Sequence, residues 1–238
     1  MATHIALGDI AISVVKKDIK NIHLSVYPPM GQVRIAAPSR MNVDTIRVFA
    51  ISKLGWIKQQ QKKFIEQARE TPREFLERES HYVWGKRYLL SIVERDQAPA
   101  VALTHGRMVL TMRRAKDVVA KDAIVARWYR EQLKAVVPEI IAKWAPLTGV
   151  SVERIFIRQM KTKWGSCNPR ARTIRLNTEL AKKSKDCLEY IVLHEMVHLI
   201  EPTHNSRFVA LMDQFMPQWK FQRQRLNRLP VRHVDWDY

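Results

Sequence analysis

Cysteine is scarce in this chain. Its 238 residues hold two, Cys167 and Cys187. They form no close-spaced pair, so nothing builds a disulfide framework, and they suit a reducing compartment. Long apolar runs are missing as well. No segment approaches the length of a membrane span, and the N-terminus lacks a basic start followed by an apolar block, Asp9 interrupting the only candidate. The expectation is a cytoplasmic chain with no membrane contact. Low-complexity segments are absent, and the two passages of strands followed by a helix are too dissimilar in sequence to read as a repeat. Acidic residues are the last shortage: 23 stand against 41 basic ones, a net charge of +18. The shortage is local. Arg154–Thr178 holds seven basic residues and no acidic one, and Gln214–Val234 holds Lys220, Arg223, Arg225, Arg228 and Arg232, again with no acid. One reading is a solvated basic surface; the other is contact with a polyanion such as nucleic acid or a nucleotide phosphate. Arg158, Lys161, Lys163, Arg170, Arg172 and Arg175 are the candidate contacts.

The patterning implies an α+β chain. Ile10–Val15, Ile22–Tyr27 and Gln32–Ala36 alternate as strands, with turn residues at Pro28–Gly31. Residues 43–69 place Ile46, Phe49, Ala50, Leu54, Ile57, Phe64 and Ile65 at near-helical spacing. Tyr82–Val93, Ala100–Leu103 and Arg107–Met112 form a second strand group, with Thr104–Gly106 as a turn. A long helix is expected over 117–145, bent or broken at Pro138. Val152–Ile157 and Thr173–Asn177 then read as strands joined by a loop through Trp164–Pro169. The expected domains are a β-rich region with one long helix at 1–115, and a second domain at 116–238 with a basic tail.

What is present in abundance is histidine in one place: three of the chain's eight fall within His194–His204. On a helix His194 and His198 lie one turn apart on one face, where two imidazoles can grip one zinc ion. Glu195, offset by about 100° around the helix, is placed to take a proton from water beside the metal. Pro202 would end the helix and let His204 return as third ligand, leaving the fourth tetrahedral position open, as in catalytic zinc sites. Leu188, Ile191, Val192, Leu193, Met196, Val197, Leu199 and Ile200 make the helix apolar on nearly every face, so it should be buried. Burying two His and a Glu without partners is costly, and a metal satisfies them. Asp186 with Glu189 resembles a capping box opening this helix, and Asn205 or Ser206 would cap a following one over Arg207–Phe215. Cys187 lies two turns, roughly 10 Å, before His194 and cannot reach the same ion.

The string K-T-K-W-G-S-C-N at Lys161–Asn168, I-R-L-N at Ile174–Asn177, L-E-Y-I-V-L-H-E-M-V-H-L at Leu188–Leu199 and H-N-S-R-F at His204–Phe208 together resemble the YgjP-like metallopeptidases, zincin-like hydrolases related to the SprT and WLM groups. The resemblance is strongest over 150–218. It implies a C-terminal zincin-like domain in which a small antiparallel sheet sits beside the H-E-x-x-H helix, with His194, His198 and His204 as ligands to one Zn²⁺ and Glu195 as catalytic acid and base. Trp164, Ser166, Asn168 and Asn177 are candidate cleft-lining residues, and the strand 173–177 is a candidate seat for an extended peptide.

Three functions follow. The first is a zinc peptidase acting on a protein or peptide, with proteins associated with DNA as candidate targets. The second is a metal-dependent nucleotide phosphohydrolase of the nucleoside triphosphate pyrophosphatase type, its basic runs holding phosphates. The third is a non-catalytic zinc-stabilised DNA-binding module. A three-histidine site suits carbonyl chemistry better than phosphoryl transfer, which commonly uses two metals held by carboxylates. Glu195 argues against a purely structural zinc.

Overall fold

Successive side chains of a strand point to opposite faces, and the first sheet follows from that alternation. In β2 (Ile10–Lys17), Ile10, Ile12 and Val14 are buried while Ala11 is exposed; in β4 (Gln32–Pro38), Val33, Ile35 and Ala37 are buried. With β1 (Thr3–Leu7) and β3 (His23–Tyr27) they form a sheet of order β1-β2-β4-β3, in which β2 and β4 run parallel and the outer pairs antiparallel. The computed structural model describes residues 3–27, 30–66, 73–113, 117–160 and 163–228. Pro28 and Pro29 of the expected turn therefore lie outside the described residues, while Gly31 takes a φ of 74°. The single helix expected over 43–69 is two, α1 (Val43–Ser52) and α2 (Leu54–Glu66). The Ser52 hydroxyl donates to the Phe49 carbonyl at 2.8 Å, competing with the helical ladder where the break occurs. Ile46, Ala50 and Ile57 complete this core. These elements make one compact unit, Met1–Ala68.

The second unit, Arg69–Tyr238, begins with the same topology. β5 (Ser80–Val83), β6 (Lys86–Glu94), β7 (Ala100–Thr104) and β8 (Arg107–Met112) form a sheet of order β5-β6-β8-β7, with β6 and β8 parallel and the outer pairs antiparallel. The passages that look unrelated in sequence thus repeat one strand arrangement. The run Tyr82–Val93 is a hairpin rather than one strand. Trp84 (φ 50°) and Gly85 (φ 78°) both adopt the left-handed geometry of a two-residue turn. Val83, Leu90, Met108, Leu110 and Met112 share a core with the helices that follow, so the contact boundary falls at Ala68 and the 115/116 boundary expected from sequence lies inside the second unit.

Helix α3 (Val118–Thr148) runs through both Pro138 and Pro146 without ending. Asp117 caps it by accepting from Ala120 N at 2.9 Å, and Gly149 closes it in the left-handed region. Its buried residues Lys121, Val125, Tyr129, Leu133 and Val137 recur every four positions, one stripe against the core. The third sheet has order β10-β11-β9, from β9 (Arg154–Arg158), β10 (Gly165–Asn168) and β11 (Thr173–Asn177). It corrects two expectations. The segment expected as a loop through Trp164–Pro169 contains a strand, and the sheet is mixed rather than antiparallel, since β11 pairs parallel with β9. A 3-10 turn (Thr178–Lys182) leads into α4 (Lys185–Val197), followed by α5 (Ser206–Phe215) and α6 (Trp219–Arg228). The residue at the N-cap of α4 is Ser184, without a side-chain capping bond. Glu189, expected to cap it, instead accepts from Lys143 Nζ at 2.5 Å and Trp144 Nε1 at 2.9 Å, tying α4 to α3. No helix among the described residues is long and apolar enough to cross a membrane.

Candidate metal centre

Helix α4 is enclosed by β10, β11, α3, α5 and α6, and Leu188, Val192, Leu193, Met196 and Val197 on it are fully buried. Each such side chain contributes roughly 1.5–3 kcal/mol, so the helix is fixed by the elements packed against it. It ends earlier than Pro202. His198 is its C-cap, and the chain turns through Glu201, whose carboxylate accepts from Thr203 N at 3.2 Å and Thr203 Oγ1 at 2.8 Å. Asn205 then accepts from Phe208 N at 3.0 Å and starts α5, one of the two caps expected from sequence.

This path brings His204 back to the helix. The Nε2 atoms of His194, His198 and His204 form a triangle with sides of 3.2, 3.1 and 3.1 Å. A tetrahedral zinc with Zn–N distances of about 2.0–2.1 Å sets its nitrogens roughly 3.3–3.4 Å apart, so the donor set fits such an ion closely. The rings are also in the right state. Burial pushes His194 down to about 3, with the neighbouring imidazoles adding to the effect, and burial likewise lowers His198 and His204. Metal ligation requires neutral imidazole. His198 Nδ1 donates to the Glu201 carbonyl at 3.1 Å, which leaves the lone pair on Nε2. Phe208 lies under all three rings, its centroid 4.9, 4.7 and 4.8 Å from those of His194, His198 and His204, and is itself 1% exposed.

Glu195 is 4% exposed, and its Oε2 is buried with no hydrogen-bond partner among the described residues. Burial pushes its carboxyl up to about 8, against the opposing charge of Lys163. The residue facing it is Gly165 of β10. A Cβ there would stand 2.5 Å from Glu195 Oε1 and 2.9 Å from Cγ, so only glycine leaves the carboxylate where it is. Cys167, two residues along β10, is pushed up to about 11 by burial and the Glu195 charge, and so is a thiol rather than a thiolate ligand.

A cleft of about 800 Å³ opens over the three histidines and Glu195. Of the residues singled out from sequence, Lys163, Trp164 and Ser166 line it, although the register pairs Ser166 with Arg175, on the sheet face opposite Gly165 and Cys167. Asn168 and Asn177 do not line it. Asn168 accepts from Ala171 N at 3.1 Å in the turn, and Asn177 donates to the Met160 and Lys163 carbonyls at 2.9 and 2.8 Å, holding the segment that enters β10. Arg158 and Arg175 lie over the Phe156 ring, at 5.6 and 5.7 Å. Arg170 and Arg172 occupy the β10–β11 turn, with Arg172 Nε donating to the Ser151 carbonyl at 3.1 Å. Lys161 lies outside the described residues.

Sequence reading did not single out Gly165, Tyr190 or Trp219, of which only Tyr190 had a local signal, four residues before His194, and it named Arg223 only as one member of the basic run Gln214–Val234. The solved structures similar to this chain include the metallopeptidase zymogen of Pyrococcus abyssi abylysin, at 22% identity over 38% of this chain and 91% of that one, with a TM-score of 0.36. Another is the metallopeptidase zymogen of Methanocaldococcus jannaschii jannalysin, at 22% identity over 38% and 86%, with a TM-score of 0.34. No curated protein matches. Residues 20–229 match the YgjP-like metallopeptidase domain. A metallopeptidase domain implies a divalent metal and a protein or peptide substrate, and with nearly its whole length matched, this chain belongs to the YgjP-like metallopeptidase family.

Proposed function

We propose that the chain is a zinc-dependent peptidase that binds one Zn²⁺ through His194, His198 and His204 and uses Glu195 as its general base. The observation that carries this is the triangle of Nε2 atoms, 3.1–3.2 Å on a side, with a buried carboxylate on the next residue of the same helix. Zinc, when bound there, supplies Lewis acidity that acidifies water and polarises a carbonyl. With the ion's positive charge beside it Glu195 would be ionised despite its burial, and its carboxylate takes the proton of the attacking water and returns it to the leaving amine. Gly165 keeps that carboxylate in place.

An extended peptide needs a free strand edge. β11 is hydrogen-bonded on both sides, to β10 and β9, so it cannot seat the peptide as the sequence alone suggested. The outer edge of β10, beside Glu195, is the strand we assign to that role. Nucleic-acid contact, and with it a DNA-associated substrate, we place on the opposite sheet face, where Arg158 and Arg175 flank Phe156. Its signature is a DNA affinity that falls with salt and with the loss of those two arginines.

Glu195→Gln tests the mechanism. The amide nearly preserves shape but cannot accept a proton, so hydrolysis should drop by at least about 10²-fold with zinc content and fold unchanged. Retained peptide cleavage would remove Glu195 from the reaction. Loss of zinc together with activity would make it a ligand instead.

A further inference from the structure

The cleft is unbalanced in charge. Among its described lining residues Glu195 is the one carboxylate, and it is buried, whereas Lys163 and Arg223 are exposed cations. They come from opposite parts of the fold. Lys163 enters β10, and its charge acts on Glu195. Arg223 comes from α6, and its charge acts on His194, His204 and Tyr190.

Arg223 sits beside a row of aromatic rings. Its guanidinium lies 6.0 Å from the Trp219 ring, Trp219 stacks on Tyr190 at 6.3 Å and 16°, and Tyr190 meets His194 edge-on at 5.8 Å. Two other cations of α6 have acidic partners: Lys220 pairs with Asp213 at 3.1 Å and Arg225 with Asp186 at 3.5 Å. Lys163 and Arg223 form no ion pair among the described residues. A guanidinium beside an aromatic face, with no ion pair, keeps its donor edge free for a carboxylate.

We propose that Arg223 and Lys163 select the substrate, so that the cleft takes an extended acidic peptide with a carboxylate side chain on each side of the scissile bond. One carboxylate meets Arg223 on the histidine side, the other Lys163 on the Glu195 side. This deepens the peptidase reading and rests on it. A nucleotide phosphate fits less well: a multiply charged group wants donors converging on one point, whereas these two cations act on different members of the site.

The test uses zinc-loaded Glu195→Gln, which should hold peptide without turning it over. Its binding to a fluorescent acidic peptide is compared with that of the same peptide carrying Asn and Gln, and of one carrying Lys, by anisotropy at about 50 and about 300 mM salt. The acidic peptide should bind best, with a preference that shrinks at the higher salt. Adding Arg223→Ala should weaken it about three- to tenfold, Arg223→Lys should restore part of the loss, and Arg223→Glu should shift preference towards the Lys peptide. Circular dichroism and zinc content verify that each variant is folded and loaded. Equal binding of all three peptides would overturn the charge selection, as would a short oligonucleotide that displaces the acidic peptide at lower concentration than unlabelled peptide does. Cleavage by the wild type is read separately. Arg223-dependent binding without cleavage of any peptide would sink the peptidase reading and leave the selection standing; cleavage blind to peptide charge would do the reverse.

Discussion

At the scale of single residues, the site depends on one side chain that is present and one that is absent. Glu195 is legible in sequence because its relation to His194 and His198 is local: 3.6 residues per turn sets all three side chains without knowledge of the rest of the fold. Gly165 is not legible in that way. Its importance arises from the register of β10 against β11, which brings residue 165 to Glu195, thirty positions later in the chain, and no periodicity carries that information. Gly165→Ala should therefore push the Glu195 carboxylate off position and lower kcat at least about tenfold, since misplacement by a fraction of an ångström at a reacting group is costly. Zinc content should stay the same, because the three atoms nearest the alanine methyl all belong to Glu195. Unchanged kcat in that variant would show that the carboxylate tolerates displacement.

At the scale of elements, local chemistry located strands and helices well and their ends poorly. Thr173–Asn177 and the start of α5 at Asn205 were readable because alternation and a capping side chain act within a few residues. The Trp84–Gly85 hairpin was hidden because tryptophan rarely takes a positive φ, and the strand β10 because Gly165–Asn168 reads as turn chemistry until β11 lies beside it. The segment before β5 shows another constraint outside sequence reach. Phe75 and Arg78 both have positive φ, at 54° and 65°, and Glu79 braces them. It accepts from Phe75 N at 2.7 Å and Glu74 N at 3.0 Å, pairs with Arg73, and lies 3.0 Å from His81 Nε2. Burial pushes its carboxyl up, but the bond from Arg73 and the charges of His81 and Arg73 prevail and hold it below its usual 4.5. A depressed carboxyl stabilises the fold above its unfolded pKa and loses that contribution as pH falls through the folded one. Glu79→Gln should cost about 1–3 kcal/mol near neutral pH, with the gap to wild type closing as pH drops below about 4.5. Denaturant midpoints of the two proteins across that range check it; a gap that stays constant with pH would show that the carboxylate charge contributes nothing.

At the scale of the whole molecule, two units carry the same four-stranded arrangement, β1-β2-β4-β3 and β5-β6-β8-β7, on sequences with no visible kinship. Topology is set by which faces are apolar and where turns fall, and many sequences satisfy those demands. That is why the repeat escaped the sequence while the histidine cluster did not: ligand chemistry restricts residue type at each position, and strand packing restricts little beyond hydrophobicity. Charge behaves similarly. The basic runs were plain, but only the fold separates Lys163 and Arg223, in the cleft, from Arg158 and Arg175, over Phe156 on the sheet. The central claim is that three histidines gathered by helix α4 and the turn after it hold one zinc. Metal analysis of the purified wild type beside His194→Ala/His198→Ala tests it most directly: one zinc per chain in the wild type and none in the variant is the predicted result, and equal zinc in both would contradict it.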